Sequence, residues 1–100
     1  MEIGRVVGTV VSTIKSSGLT SYKLLIISPV VMTQAPGASE ESADMYVAID
    51  LVGAGEGEIV LVTRGSAARV SIKPDTPTDA AIVAVVDTIQ LGARNAYSKT

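Results

Sequence analysis

Four residue types with distinctive chemistry are missing from this 100-residue chain: cysteine, histidine, phenylalanine and tryptophan. Without cysteine there is no disulfide framework and no thiol nucleophile. Without histidine the usual general base and the commonest metal ligand are gone, so we expect no catalytic residues, no metal and no organic cofactor. Charge is also sparse: eight basic and ten acidic residues leave a net charge of −2, which gives no electrostatic footprint for nucleic acid. No apolar run approaches the length of a membrane span, and the N-terminus carries no charged-then-apolar signal segment. The expectation is one soluble, cytoplasmic domain over residues 1–100, with no nucleic-acid or membrane partner.

What is present is aliphatic. Apolar residues make up 47% of the chain, yet only three residues, all tyrosine, are aromatic. Valine, isoleucine and alanine supply the bulk. A chain this short buries a smaller fraction of its surface than a longer one, so a surplus of aliphatic side chains points to burial between subunits.

The most informative stretch is 47–70, VAIDLVGAGEGEIVLVTRGSAARV. Val47, Ile49 and Leu51 alternate with Ala48 and Asp50, the period of a half-buried strand. Gly53, Gly55 and Gly57 then interrupt the pattern, and Ile59–Thr63 follows as a β-branched apolar run too short for a helix. A phosphate cradle needs a helix after the glycines to supply N–H donors and a favourable dipole. Here a strand follows, GK[ST] is missing, and Glu56 and Glu58 would repel a phosphate. The glycines read instead as a tight turn or a close backbone approach, with Gly55 the position where a side chain should not fit.

The remaining segments fall around it. Residues 3–14 form a first strand with apolar residues on both faces and Gly4 and Gly8 on one of them, a device for sharp coiling at barrel corners. Residues 15–21 read as a loop. A second strand covers 22–31, and Pro29, which cannot donate to a ladder, places it at an edge or ends it there. The stretch 33–44, with Pro36-Gly37 and the adjacent Glu40 and Glu41, reads as a solvated loop. Thr76 can cap a short helix at about 77–81, with Pro77 in its first turn. The β-branched run 83–89 is the last core strand, and 91–100 is a polar tail, frayed or laid against a neighbour.

Five strands, one short helix and glycine-rich corners, with no strand–helix–strand unit, make a mainly β fold. The specific expectation is a small closed five-stranded OB-like barrel with a C-terminal tail. Many such barrels bind single-stranded nucleic acid through a basic, aromatic-bearing face. A binding module for a small ligand or a single strand is therefore the alternative function, weakened by the acidic charge and by having only Tyr22, Tyr46 and Tyr97.

An ordered set of short motifs spans nearly the whole chain. These are Gly8-Thr9-Val10-Val11-Ser12-Thr13, Lys23-Leu24-Leu25, Val47-Ala48-Ile49-Asp50 with Val52-Gly53-Ala54-Gly55 and Glu58, Gly65-Ser66-Ala67-Ala68-Arg69, and Asp79-Ala80-Ala81 leading to Val85-Val86-Asp87-Thr88. Together they resemble the EutN/CcmL family, the pentameric vertex proteins of bacterial microcompartment shells. The segment 33–44 is longer than in the shortest members, and the tail after Leu91 departs from the pattern. The resemblance implies a five-stranded barrel with a short helix, assembled as a cyclic homopentamer with a narrow axial pore. It would sit at the fivefold vertices of a polyhedral shell among hexameric shell proteins, in a structural role without catalysis. On that reading Gly53, Ala54 and Gly55 lie at a subunit junction or towards the axis, and Ser66 and Arg69 are the polar candidates for contacts between chains. Asp50 and Asp87, which end apolar strands, accept backbone hydrogen bonds, meet Arg69, or simply face solvent.

Overall fold

The computed structural model describes residues 1–11, 23–32, 39–41, 44–65 and 79–99. Eight strands run in order: β1 Glu2–Thr9, β2 Lys23–Met32, β3 Ser39–Glu41, β4 Tyr46–Asp50, β5 Ile59–Arg64, β6 Ala80–Val85, β7 Thr88–Leu91 and β8 Arg94–Ser98. Strands β1, β5, β6, β4 and β2 are hydrogen-bonded in that order, and β1 pairs back to β2. The sheet is thus a closed five-stranded barrel, antiparallel except where β4 meets β6. Short β3 hangs on the outer half of β2, and β7 and β8 form a separate two-stranded hairpin.

Gly4 is the seam of the barrel. It lies opposite Pro29 of β2 on one side and Val60 of β5 on the other. A Cβ built on it would overlap Cγ2 of Ile27, so only glycine lets β1 approach both neighbours. One step on, the β1–β2 register shifts between Val6 and Gly8, a bulge that sharpens the local twist. The interior fills with medium and small aliphatics: Val6, Leu25, Ile27, Val60, Val62 and Ile82, with Ala48, Ala54 and Ala80 between them. Each fully buried Val, Leu or Ile contributes roughly 1.5–3 kcal/mol over exposure.

Along the row Ile49, Ala81 and Thr63, the sheet is buried on its other face as well. That accounts for the unbroken apolar run in β5, since a strand covered on both sides has no polar alternation to show.

Several expectations need correcting. Pro29 neither ends its strand nor sits at an edge. It falls between the last β2–β4 pair, Ile27 with Tyr46, and the first β2–β3 pair, Val30 with Glu41, so the ladder passes it at a gap between two partners. Glu40 and Glu41 stand in strand β3, paired to β2, where a loop was expected. The expected helix at 77–81 falls largely outside the described residues, and at its end Ala80 and Ala81 already belong to β6. The last core strand stops at Val85, its expected end at Thr88 and Ile89 lies in β7 instead, and residues expected as a tail complete the β7–β8 hairpin, with a bulge between Ile89 and Gln90.

Gly4→Ala should lower unfolding stability by about 1–3 kcal/mol, the usual result of forcing a methyl into a packed site. Urea denaturation followed by far-ultraviolet circular dichroism measures it. A midpoint and slope like those of the wild type would show that the seam tolerates a side chain.

Candidate functional site

The loop at residues 51–58 closes one end of the barrel, and nearly every charged group near it is spent on holding it. The Asp50 carboxylate, with only 2% of its side chain exposed, accepts hydrogen bonds from the backbone N–H groups of Val52 and Gly53 through Oδ1, both at 3.0 Å. Its other oxygen faces the Lys23 ammonium at 3.6 Å. Lys23 also donates to the Ala54 carbonyl at 3.1 Å, so a single lysine on β2 bridges the strand end and the loop. Asp50 therefore caps the turn, and Asp87 accepts the Lys99 N–H with its backbone carbonyl at 2.7 Å.

The second half of the loop is tied to β1 and to the C-terminal hairpin. Arg5 donates to the Gly57 carbonyl at 2.9 Å, and Gly57 N–H donates to the Val6 carbonyl at 2.7 Å. Glu58 Oε1 accepts the Gly55 N–H at 2.6 Å, while Oε2 meets Lys99 Nζ at 2.6 Å. That hydrogen bond from Lys99, followed by the one from Gly55, holds the Glu58 carboxyl below its usual range. Reciprocally, Glu58 pushes the Lys99 ammonium up.

The glycines divide their tasks differently from the expectation. Gly53 and Gly57 have positive φ, 79° and 91°, the left-handed region that disfavours side chains. Gly55 does not, and a Cβ there would meet Glu58 Oε1 at an ordinary 3.5 Å. Ala54 is fully buried in its own barrel core, so its side chain is a plug rather than a surface contact. Gly53 remains exposed. Ser66 and Arg69 lie outside the described residues.

At the opposite end of the barrel, a polar group went unread in the sequence. Arg64 stacks over the Tyr46 ring at 4.0 Å and pairs with Glu2 at 2.8 Å. Burial, then the negative charge of Glu2, push the Tyr46 phenol up to about 12. The only signal for this cluster is three-dimensional, because its members begin β1, begin β4 and end β5. Tyr46 lies on the barrel sheet, and Tyr97 lies on the separate β7–β8 sheet. Among the described residues no cluster of three or more His, Cys, Asp or Glu side chains is arranged to hold a metal.

Closed sheet, plugged end and wired loop define a small OB-like barrel whose polar groups are spent on fixing its own surface. The family described as "Ethanolamine utilisation protein EutN/carboxysome" matches residues 1–87, and the chain belongs to this EutN/CcmL family. It is 48% identical over 101 residues to the carboxysome shell vertex protein CcmL of Thermosynechococcus vestitus, covering 99% of this chain and 96% of that one. It is 44% identical over 91 residues to the bacterial microcompartment shell vertex protein GrpN of Rhodospirillum rubrum, covering 90% and 97%. Among solved structures, a carboxysome subunit CcmL superposes over the full length of both chains with a TM-score of 0.88 at 40% identity. The GrpN pentameric microcompartment shell protein from Rhodospirillum rubrum does so over 91% of this chain and all of its own, with a TM-score of 0.77 at 41% identity.

Two outcomes are expected from the loop. Asp50→Ala leaves the Val52 and Gly53 N–H groups without their acceptor and should cost about 1–2 kcal/mol, with faster proteolytic cutting within residues 51–58. Wild-type stability and cutting rates would refute this. Glu58 has a folded-state pKa depressed below the unfolded value of 4.5, so the folded state binds its proton less readily. Its contribution is complete above 4.5 and fades as pH falls through the lower folded value. In urea titrations from pH 6 downward, the gap between wild type and Glu58→Gln should shrink below pH 4.5. A gap independent of pH there would exclude the charge as its source.

Proposed function

We propose that this chain is a structural shell protein, assembled as a cyclic homopentamer that caps the fivefold vertices of a polyhedral bacterial microcompartment. Its place in the cell is the shell itself, and its partners are hexameric shell proteins meeting the pentamer rim. It performs no catalytic turnover. The observation that carries the reading is likeness over nine-tenths or more of the chain to carboxysome and microcompartment shell vertex proteins, one of them a pentameric shell protein, at 40–48% identity.

The surface agrees with an associating subunit. Val47 on β4 is 46% exposed, and Val31 and Met45 are also bare, although burying such side chains would be favourable. Gly53 and Gly55 offer a junction where backbones can approach closely. Ser66 and Arg69 remain the polar candidates for contacts between subunits.

Native mass spectrometry at micromolar concentration should give a single species of five times the 10.3 kDa chain mass. Mixed with a hexameric shell protein from the same organism, it should close polyhedral particles that otherwise stay open. A stable monomer or dimer, or particles that close equally well without it, would overturn the reading.

A further inference from the structure

The β7–β8 hairpin forms a sheet of its own beside the barrel, and an isolated two-stranded hairpin is only marginally stable in water. Its base is joined to the barrel by a short run of backbone bonds. Val86 N–H donates to the Ile59 carbonyl at 2.9 Å, and Lys99 N–H donates to the Asp87 carbonyl at 2.7 Å. The start of β5, the Val86–Asp87 link and the end of the hairpin therefore lie side by side. That alignment carries the Lys99 ammonium to within 2.6 Å of Glu58, the residue before Ile59. Lys99 is placed there by the folded hairpin, because its N–H makes the rung next to the Thr88–Ser98 pair.

Glu58 also closes the loop in front of it. Its Oε1 accepts the Gly55 N–H at 2.6 Å, and its own N–H donates to the Gly55 carbonyl at 3.2 Å. The turn 55–58 is thus a small box with the Glu58 side chain as one wall. Its sequence, Gly55-Glu56-Gly57-Glu58, brings no apolar side chain to pack. Hydrogen bonds must hold it instead. The bonds from Lys23 to the Ala54 carbonyl and from Arg5 to the Gly57 carbonyl come from barrel strands, and they stand whatever the hairpin does. The tie through Glu58 depends on the hairpin.

One carboxylate whose two oxygens serve two different elements makes those elements interdependent. With Lys99 in place, the Glu58 side chain is fixed in one orientation and its charge is balanced. With Lys99 withdrawn, this side chain, already 25% exposed, turns to water and the Gly55 N–H loses its acceptor. We infer that Glu58 is a charge-operated latch through which the folded C-terminal hairpin sets the conformation of the 55–58 turn. Coupling of this kind is reciprocal, so loosening the turn also loosens the last rung of the hairpin. The latch lies within one chain and stands apart from the oligomeric reading.

Amide hydrogen exchange on the full chain, resolved to single residues, tests it. Lys99→Met keeps the length of the side chain and removes its charge. It should speed exchange at the Gly55 N–H by roughly 5–10-fold, the loss of one hydrogen bond of ordinary net strength. Lys99→Arg keeps the charge and should stay within about twofold of wild type, the scale of a minor change in local opening. Glu58→Gln retains an acceptor for Gly55 and gives up the ion pair. It should speed exchange at the Lys99 N–H, and adding Lys99→Met to it should make Gly55 no faster. At about 1 M sodium chloride, where charges are screened beyond about 3 Å, Gly55 exchange should rise in the wild type and stay level in Lys99→Met. Unchanged Gly55 exchange in Lys99→Met, or an equal loss of protection in Lys99→Arg, would overturn the latch. An equal rise at the Val6 N–H, which donates to the Glu58 carbonyl in the barrel wall, would place the effect in the barrel and overturn it as well.

Discussion

Everything in this barrel depends on how closely β1 can approach β2. Gly4 is paired on both sides, to Pro29 and to Val60, and the space a side chain would take is filled by Ile27. Were β1 held off by a methyl, its ladder with β2 would open and the sheet would present two bare edges. Open edges invite pairing with other chains in the wrong register, and closure removes them. The aliphatic core follows from the same constraint. A five-stranded barrel has a narrow interior that suits Val, Ile, Leu and Ala, and the absence of Phe and Trp fits that space.

Closure fixes the wall, and charge fixes the end. Asp50, Lys23, Arg5, Glu58 and Lys99 come from four separate parts of the chain, yet all bear on residues 51–58. Exposed ion pairs contribute little singly. Here they act mainly through hydrogen bonds to backbone groups, which a glycine-rich loop would otherwise leave to solvent. Glycine supplies the conformations, and the charged side chains select one of them. A loop so held is a rigid surface, which suits a docking face better than a flexible one because less ordering remains to be done on binding.

The strands were legible wherever burial imposes a period. β4 and β5 appear in the sequence to within a residue or so, since Val47–Asp50 alternates and Ile59–Thr63 is a continuous apolar run. The sequence leaves the role of Asp50 at its strand end open, and the structure selects the backbone-accepting one. The glycines were legible as a turn but not individually: Gly53 and Gly57 carry positive φ while Gly55 does not, because φ depends on turn geometry that the surrounding strands impose. Pro29 misled for a related reason. Its effect depends on which neighbour lies beside it, and β2 changes partner there. Ion pairs between residues as remote as Glu58 and Lys99 leave no local trace at all.

The C-terminal hairpin is the clearest case of information that a single chain's pattern does not display. Its strands are short, its bulge breaks the alternation at Ile89 and Gln90, and its composition is polar, so residues 91–100 look like a tail. A hairpin of this kind has few contacts within its own barrel to reward a strongly apolar sequence. What order the hairpin has comes from its own ladder and from Lys99, which is tied to the Glu58 carboxylate and the Asp87 carbonyl. These contacts join residues far apart along the chain, and no local pattern announces them.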